Sequence, residues 1–168
     1  MLLYFLQIVV ILQQFHPLMY TKGEVARLHQ KFWTVIGQYM KPVPGANGES
    51  VNWINYKTGV RHIFFRINAD EKRVSVAIEI RHPNGDDRLN YYNQFSLLKS
   101  LLQKTTGYKW EWQAAAPDDN GCTISRISQQ LNNVNVLNEA DWPAIITFVK
   151  PRLVSLDAFW EMVKDGFE

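Results

Sequence analysis

Two carboxylates and an arginine stand where phosphodiester chemistry could be built: Asp70, then Glu79-Ile80-Arg81. Metal-assisted phosphodiester hydrolysis needs carboxylates from adjacent strands converging on Mg²⁺, with a basic group beside the attacking water. Glu79 and Arg81 supply half of that pattern. Arginine stays protonated, so Arg81 cannot take a proton from water as a depressed lysine can. Asp70 falls in a turn, which leaves the carboxylate pair incomplete. The expectation is that Glu79 makes a surface pair with an arginine or with His62, and that no residue is catalytic. A degenerate nuclease using Asp70 and Glu79 is the alternative.

A second constellation is cationic. Lys57, His62, Arg66, Arg73 and Arg81 surround Phe64 on what alternation marks as one polar strand face. Cations interleaved with an aromatic suit phosphate contact plus base stacking. The plainer reading is a solvated face balanced by Glu79 and by acids further along the chain. Other chemistry is thinner. His29, His62 and His82 lack the spacing of a zinc site. Cys122 could be a nucleophile, although a lone strand cysteine is expected to be buried and inert. Ser75 and Ser125 lie outside any G-x-S-x-G elbow, and Gly45 to Gly48 is no phosphate loop. No cofactor or metal is expected.

These residues must be held by a small set of elements. Thr21 and Glu24 form a capping box, and Val25, Leu28, Phe32, Trp33, Ile36 and Met40 follow at helical spacing, predicting a helix over 22–40. Pro42 and Pro44 stop it. Three strands are then predicted, over 51–56, 61–68 and 73–82. Val74, Val76, Ile78 and Ile80 face a core while Arg73, Ser75, Ala77, Glu79 and Arg81 face away. A four-residue turn over 69–72 sets Phe65 against Val76 and His62 against Glu79.

A second helix over 87–105 buries Tyr91, Phe95, Leu98 and Leu102 and is capped by Gly107. Strands over 108–112 and 122–127 flank a turn over 116–121. An asparagine-rich loop leads to a last helix from 139, which Pro151 should kink or split. Trp110, Trp112, Trp142 and Trp160 are expected in the core. The sum is an α+β fold in two layers, with a mainly antiparallel five-strand sheet covered by helices on one side.

The chain is 168 residues with 46% hydrophobic and 13% aromatic side chains, enough for one core and against disorder. One cysteine excludes an internal disulfide framework. The net charge of +2 hides an asymmetry: residues 1–113 hold 14 basic and 8 acidic side chains, residues 114–168 hold 4 and 8. Packing of the basic front against the acidic tail is expected. Residues 1–18 are apolar but lack a signal-peptide charge pattern and are too short to span a bilayer. They are read as an extension, either ahead of a native start at Met19 or poorly packed; contact with a membrane is the alternative. Residues 19–168 are then a single domain, without stable membrane insertion and cytoplasmic.

Lys31-Phe32-Trp33, Trp53-Ile54-Asn55-Tyr56-Lys57-Thr58-Gly59, Ile63-Phe64-Phe65-Arg66, Gly107-Tyr108-Lys109-Trp110, Ser125-Arg126-Ile127 and Trp142 together resemble an uncharacterised bacterial family, the domain of unknown function numbered four-two-six-eight. The likeness spans about residues 20–165. Members occur alone or behind restriction-endonuclease-like domains, so the resemblance implies a setting of nucleic-acid processing or defence. It carries over no catalytic residue. The order of elements is also similar to the core of PD-(D/E)xK nucleases and to small dimeric secretion chaperones, an analogy of topology alone. The expectation is a binding or accessory module whose partner, a nucleic acid, another protein or a second copy, engages the open sheet face or an edge strand.

Overall fold

The computed structural model describes residues 20–167, so the expectations for residues 1–18 lie outside the described residues. Helix α1 spans Lys22–Met40, and its capping box forms as the sequence dictates: Thr21 accepts from the Glu24 amide while Glu24 accepts from the Thr21 amide. Leu28, Phe32, Ile36 and Met40 are its buried stripe. Strands β1 (Ile63–Ala69) and β2 (Arg73–Ile80) follow, then helices α2 (Gly85–Leu97) and α3 (Lys99–Thr106). Strands β3 (Glu111–Pro117) and β4 (Thr123–Asn132) come next. A single 3₁₀ turn (Glu139–Asp141) leads into helix α4 (Trp142–Val163).

The sheet has four strands in the order β1-β2-β4-β3, each pair antiparallel. The expected first strand over 51–56 is absent. Its β-forming residues serve as a tether instead: the Trp53 indole donates to the Val43 carbonyl, Asn52 caps the Asn55 amide, and Trp53 and Tyr56 are buried. A side-chain cap of this kind offers the backbone an alternative to a ladder.

The register between β1 and β2 differs from expectation by two residues. Phe65 faces Ile78, Phe64 faces Glu79, and His62 lies beside Arg81 rather than Glu79. The cause is the turn. Asp70 Oδ1 accepts from the amides of Lys72 and Arg73, and the Asp70 amide donates to the Arg73 carbonyl, so the hairpin closes tightly around Glu71 and Lys72. A shift of two preserves the pleat, and Val74, Val76, Ile78 and Ile80 are buried on the expected face.

Other boundaries move as well. The helix expected over 87–105 breaks at Leu98, whose φ and ψ of −95° and 6° leave the helical region. Its start is set by Asn84, which caps the amides of Asp86 and Asp87. Gly107, at φ 75°, ends α3 in the left-handed conformation. β3 begins and ends later than expected and carries a bulge between Gln113 and Ala116. β4 runs on into the asparagine-rich segment. Pro151 sits inside α4 without splitting it.

One core lies between the inner sheet face and the helices, built around Phe32, Phe65, Phe95, Phe159 and Trp160. Trp110, Trp142 and Trp160 are buried there, and half-buried Trp112 packs edge-on against Tyr92. Basic front and acidic tail meet directly in the pairs Lys31–Glu139 at 2.6 Å and Arg81–Asp118 at 2.9 Å.

Candidate functional site

The outer face of the sheet is a grid fixed by the three registers. Phe64, Glu79, Arg126 and Gln113 form one row across all four strands. Arg66, Ala77, Ser128 and Glu111 form the next, and Asn68, Ser75 and Gln130 the third. Ser75, Ala77 and Ser128 are small and sit in the middle, so the face is hollowed along its centre. The resulting groove has a volume of about 770 Å³, with Arg73, Arg126, Gln113, Glu111, Asp118 and Asp119 among its walls.

Glu79 lies beneath one end of the groove with its side chain 1% exposed. Its Oε2 accepts from Arg81 Nε at 2.8 Å and pairs with Arg81 Nη2 at 2.7 Å; its Oε1 accepts from Asn68 Nδ2 at 3.2 Å. Arg81 Nη1 reaches Asp118 Oδ2 at 2.9 Å. Burial alone would lower the Arg81 pKa, but the hydrogen bonds and charges of Glu79 and Asp118 outweigh it and hold the guanidinium above its usual value. The Asp118 carboxyl is held below its usual range, first by the Cys122 amide, then by the Asn120 amide and Arg81. This cluster staples the β3–β4 turn to β2.

The sequence-derived candidates therefore separate. Glu79 forms a buried pair rather than a surface one, its oxygens accepting from Arg81 and Asn68. Asp70 caps the hairpin turn six residues from Glu79 along β2, roughly 20 Å at about 3.3 Å per residue, so one metal ion cannot bridge them. Among the described residues no group of three or more His, Cys, Asp or Glu could hold a metal. Arg81, half-buried, is engaged in ion pairs with Glu79 and Asp118.

Arg66 stays on the face, its guanidinium 4.7 Å from the Phe64 ring centroid. Arg73 lies at the groove's far end, 3.6 Å from Asp70. Lys57 sits apart, in a second concavity with Glu49, Asp157 and Glu161. His62 leaves the strand at φ 68° and meets His82 edge-on, ring centroids 4.4 Å apart. Cys122 is exposed in the turn before β4, against the expectation of a buried strand cysteine.

Arg126, Gln113, Ser128 and Asp118 are the groove residues that sequence reasoning passed over. Their signal was faint: Arg-x-Ser-x-Gln on the alternate positions Arg126, Ser128 and Gln130 marks a polar strand face, but its neighbours are set by pairing with β2. Once they are included, four arginines on this face and its rim meet five carboxylates, Asp70, Glu79, Glu111, Asp118 and Asp119. The face is not basic.

Among the described residues no helix is long and apolar enough to cross a membrane. The chain matches no curated protein and no solved structure. One family model does match, over residues 28–164, from the first buried turn of α1 to the end of α4, and so takes in every strand of the groove. On that span the chain belongs to the family described as domain of unknown function DUF4268.

Proposed function

We propose that this chain is a binding or accessory module whose hollowed outer sheet face receives a segment of another polypeptide. The observation that carries this reading is the groove of about 770 Å³, walled by side chains rich in amides and hydroxyls: Asn68, Ser75, Gln113, Ser128 and Gln130. Such groups hydrogen-bond a peptide backbone and polar side chains in either sense. The charge balance supports a polypeptide over a nucleic acid, since a phosphate backbone is recognised by net positive charge and here acids outnumber bases. The spent oxygens of Glu79 support binding over phosphodiester cleavage. A role beside bacterial nucleic-acid processing enzymes is compatible with this reading, as the point of attachment of such an enzyme or its regulator.

The test selects phage-displayed random peptides on the folded chain and then fills the groove with Ser128→Trp. An indole there should weaken the selected peptides by about tenfold or more, equivalent to about 1.4 kcal/mol, while Ser128→Ala binds as before. Failure to select any peptide, or unchanged binding to a folded Ser128→Trp protein, overturns the proposal.

A further inference from the structure

We infer that Arg126 is a carboxylate-recognition site in the floor of the groove, so that the segment bound there presents an acidic side chain or a free chain terminus. This rests on the reading of the groove as a polypeptide-binding surface and names the chemistry its ligand must carry. The observation is a contrast between two arginines on the same carboxylate. Arg81 has its whole fork occupied, two nitrogens on Glu79 and one on Asp118 at 2.7–2.9 Å. Arg126, one strand over, is held only loosely by the same carboxylate. Its Nε is buried, lies 3.5 Å from Glu79 Oε1 and makes no hydrogen bond among the described residues. Its Nη2 stands 3.5 Å from the Pro117 carbonyl, at the outer limit of a contact.

A guanidinium offers five N–H donors and no acceptor, and an unmade hydrogen bond in a buried place is costly. The Arg126 side chain is only 23% exposed and lines the groove. Gln113 faces it across β3 and Ser128 follows it on the same face of β4, placing an amide and a hydroxyl beside the fork. A planar carboxylate entering from the groove meets the two Nη nitrogens with two parallel hydrogen bonds, while the buried Nε stays toward Glu79. Phosphate fits less well. Glu79 and Asp118 are close by and Glu111 and Asp119 stand on the walls, so a second negative charge on the ligand meets repulsion that a monoanion avoids.

The experiment follows the Arg126 Nε–H signal by NMR in the full chain at constant ionic strength. The probes are sodium acetate, inorganic phosphate, N-acetylalanine, which carries only a terminal carboxylate, and N-acetylglutamic acid α-amide, which carries only a side-chain one. A saturable shift of Arg126 with acetate and at least one of the two amino-acid derivatives is expected, the tighter derivative naming the source of the carboxylate. Arg126→Gln should raise the apparent Kd by about tenfold or more, and Arg126→Lys, which keeps the charge but loses the fork, should do so as well. The inference falls if Arg126 does not shift, if it moves only in step with exposed Arg73, or if phosphate binds as tightly as acetate. Should it fall while Ser128→Trp still blocks peptides, the groove reading stands alone; should Ser128→Trp have no effect, both fall.

Discussion

Tyr56 donates its hydroxyl hydrogen to Asp157 Oδ1 at 2.5 Å, joining residues 101 positions apart. The other oxygen of Asp157 accepts from the Ala46 amide at 2.6 Å. One carboxylate on α4 thus ties down the whole connection between α1 and β1, the segment whose composition suggested a strand.

Replacing Tyr56 by Phe should therefore cost stability. Asp157 is buried and would lose the hydroxyl donor of Tyr56, a loss of about 1–3 kcal/mol. Chemical denaturation measures it. The pH dependence has a definite sign. Burial, then the hydrogen bond and charge of Asp157, push the Tyr56 pKa far above its ordinary 10.0. The folded state thus holds a proton that the unfolded state releases. The contribution is intact below pH 10.0 and is lost progressively as pH rises above it. Tyr56→Phe should remove that part of the alkaline slope.

Gly45 stands beside the same carboxylate. A Cβ there would come within 2.7 Å of Val51 Cγ2 and 3.3 Å of Asp157 Oδ2. Gly45→Ala should destabilise by about 1–3 kcal/mol, the cost of overpacking. Gly23, in the first turn of α1 with nothing among the described residues within 4 Å of its Cβ position, gives the opposite sign: Gly23→Ala should stabilise by up to about 1 kcal/mol. Thermal melts of the two single variants compare them directly.

How far the sequence reaches is visible in these same residues. Alternation from Arg73 to Arg81 names the correct faces, because strand period and hydrophobic burial speak together. The register misses by two because any even shift keeps those faces, and only the Asp70 side chain decides between them. Residues 51–56 mislead because bulky β-formers also suit a buried tether, and the acceptor of the Trp53 indole, Val43, lies at the start of the same connection rather than on a neighbouring strand. Arg126 escapes because its neighbours come from pairing across β2 and β3, which no local pattern encodes. The acids that meet the arginines come partly from β2 and its hairpin, Glu79 and Asp70, and partly from the β3–β4 turn, Asp118, as the plainer reading of the charge pattern expects.

The paired histidines set an acid-side response. Burial first, then the charges of His82 and Arg61, lower the His62 pKa below its ordinary 6.5. The unfolded chain then binds the proton more readily than the folded one. Stability from this residue is in place above pH 6.5 and declines as pH falls below it. Asparagine accepts the left-handed backbone that His62 adopts at φ 68°, so His62→Asn should keep the fold and flatten the acid limb of a stability–pH curve. A curve that stays as steep below pH 6.5 counts against the histidine contact as its source.

Glu79 separates a structural carboxylate from a catalytic one by the sign of a single change. A catalytic carboxylate is held at the expense of stability, so neutralising it tends to stabilise the fold while abolishing metal-dependent cleavage. Glu79 is instead a buried acceptor, and removing it leaves the Asn68 amide and two nitrogens of Arg81 without their partner while Asp118 still holds the third. Glu79→Ala should therefore destabilise by about 1–3 kcal/mol in urea unfolding. Mg²⁺ should leave the melting temperature of the unaltered protein unchanged, since the Glu79 oxygens already hold Arg81 and Asn68. A Glu79→Gln protein more stable than its parent, or an Mg²⁺-dependent rise in melting temperature lost with that substitution, would reverse the assignment and return Glu79 to phosphodiester chemistry.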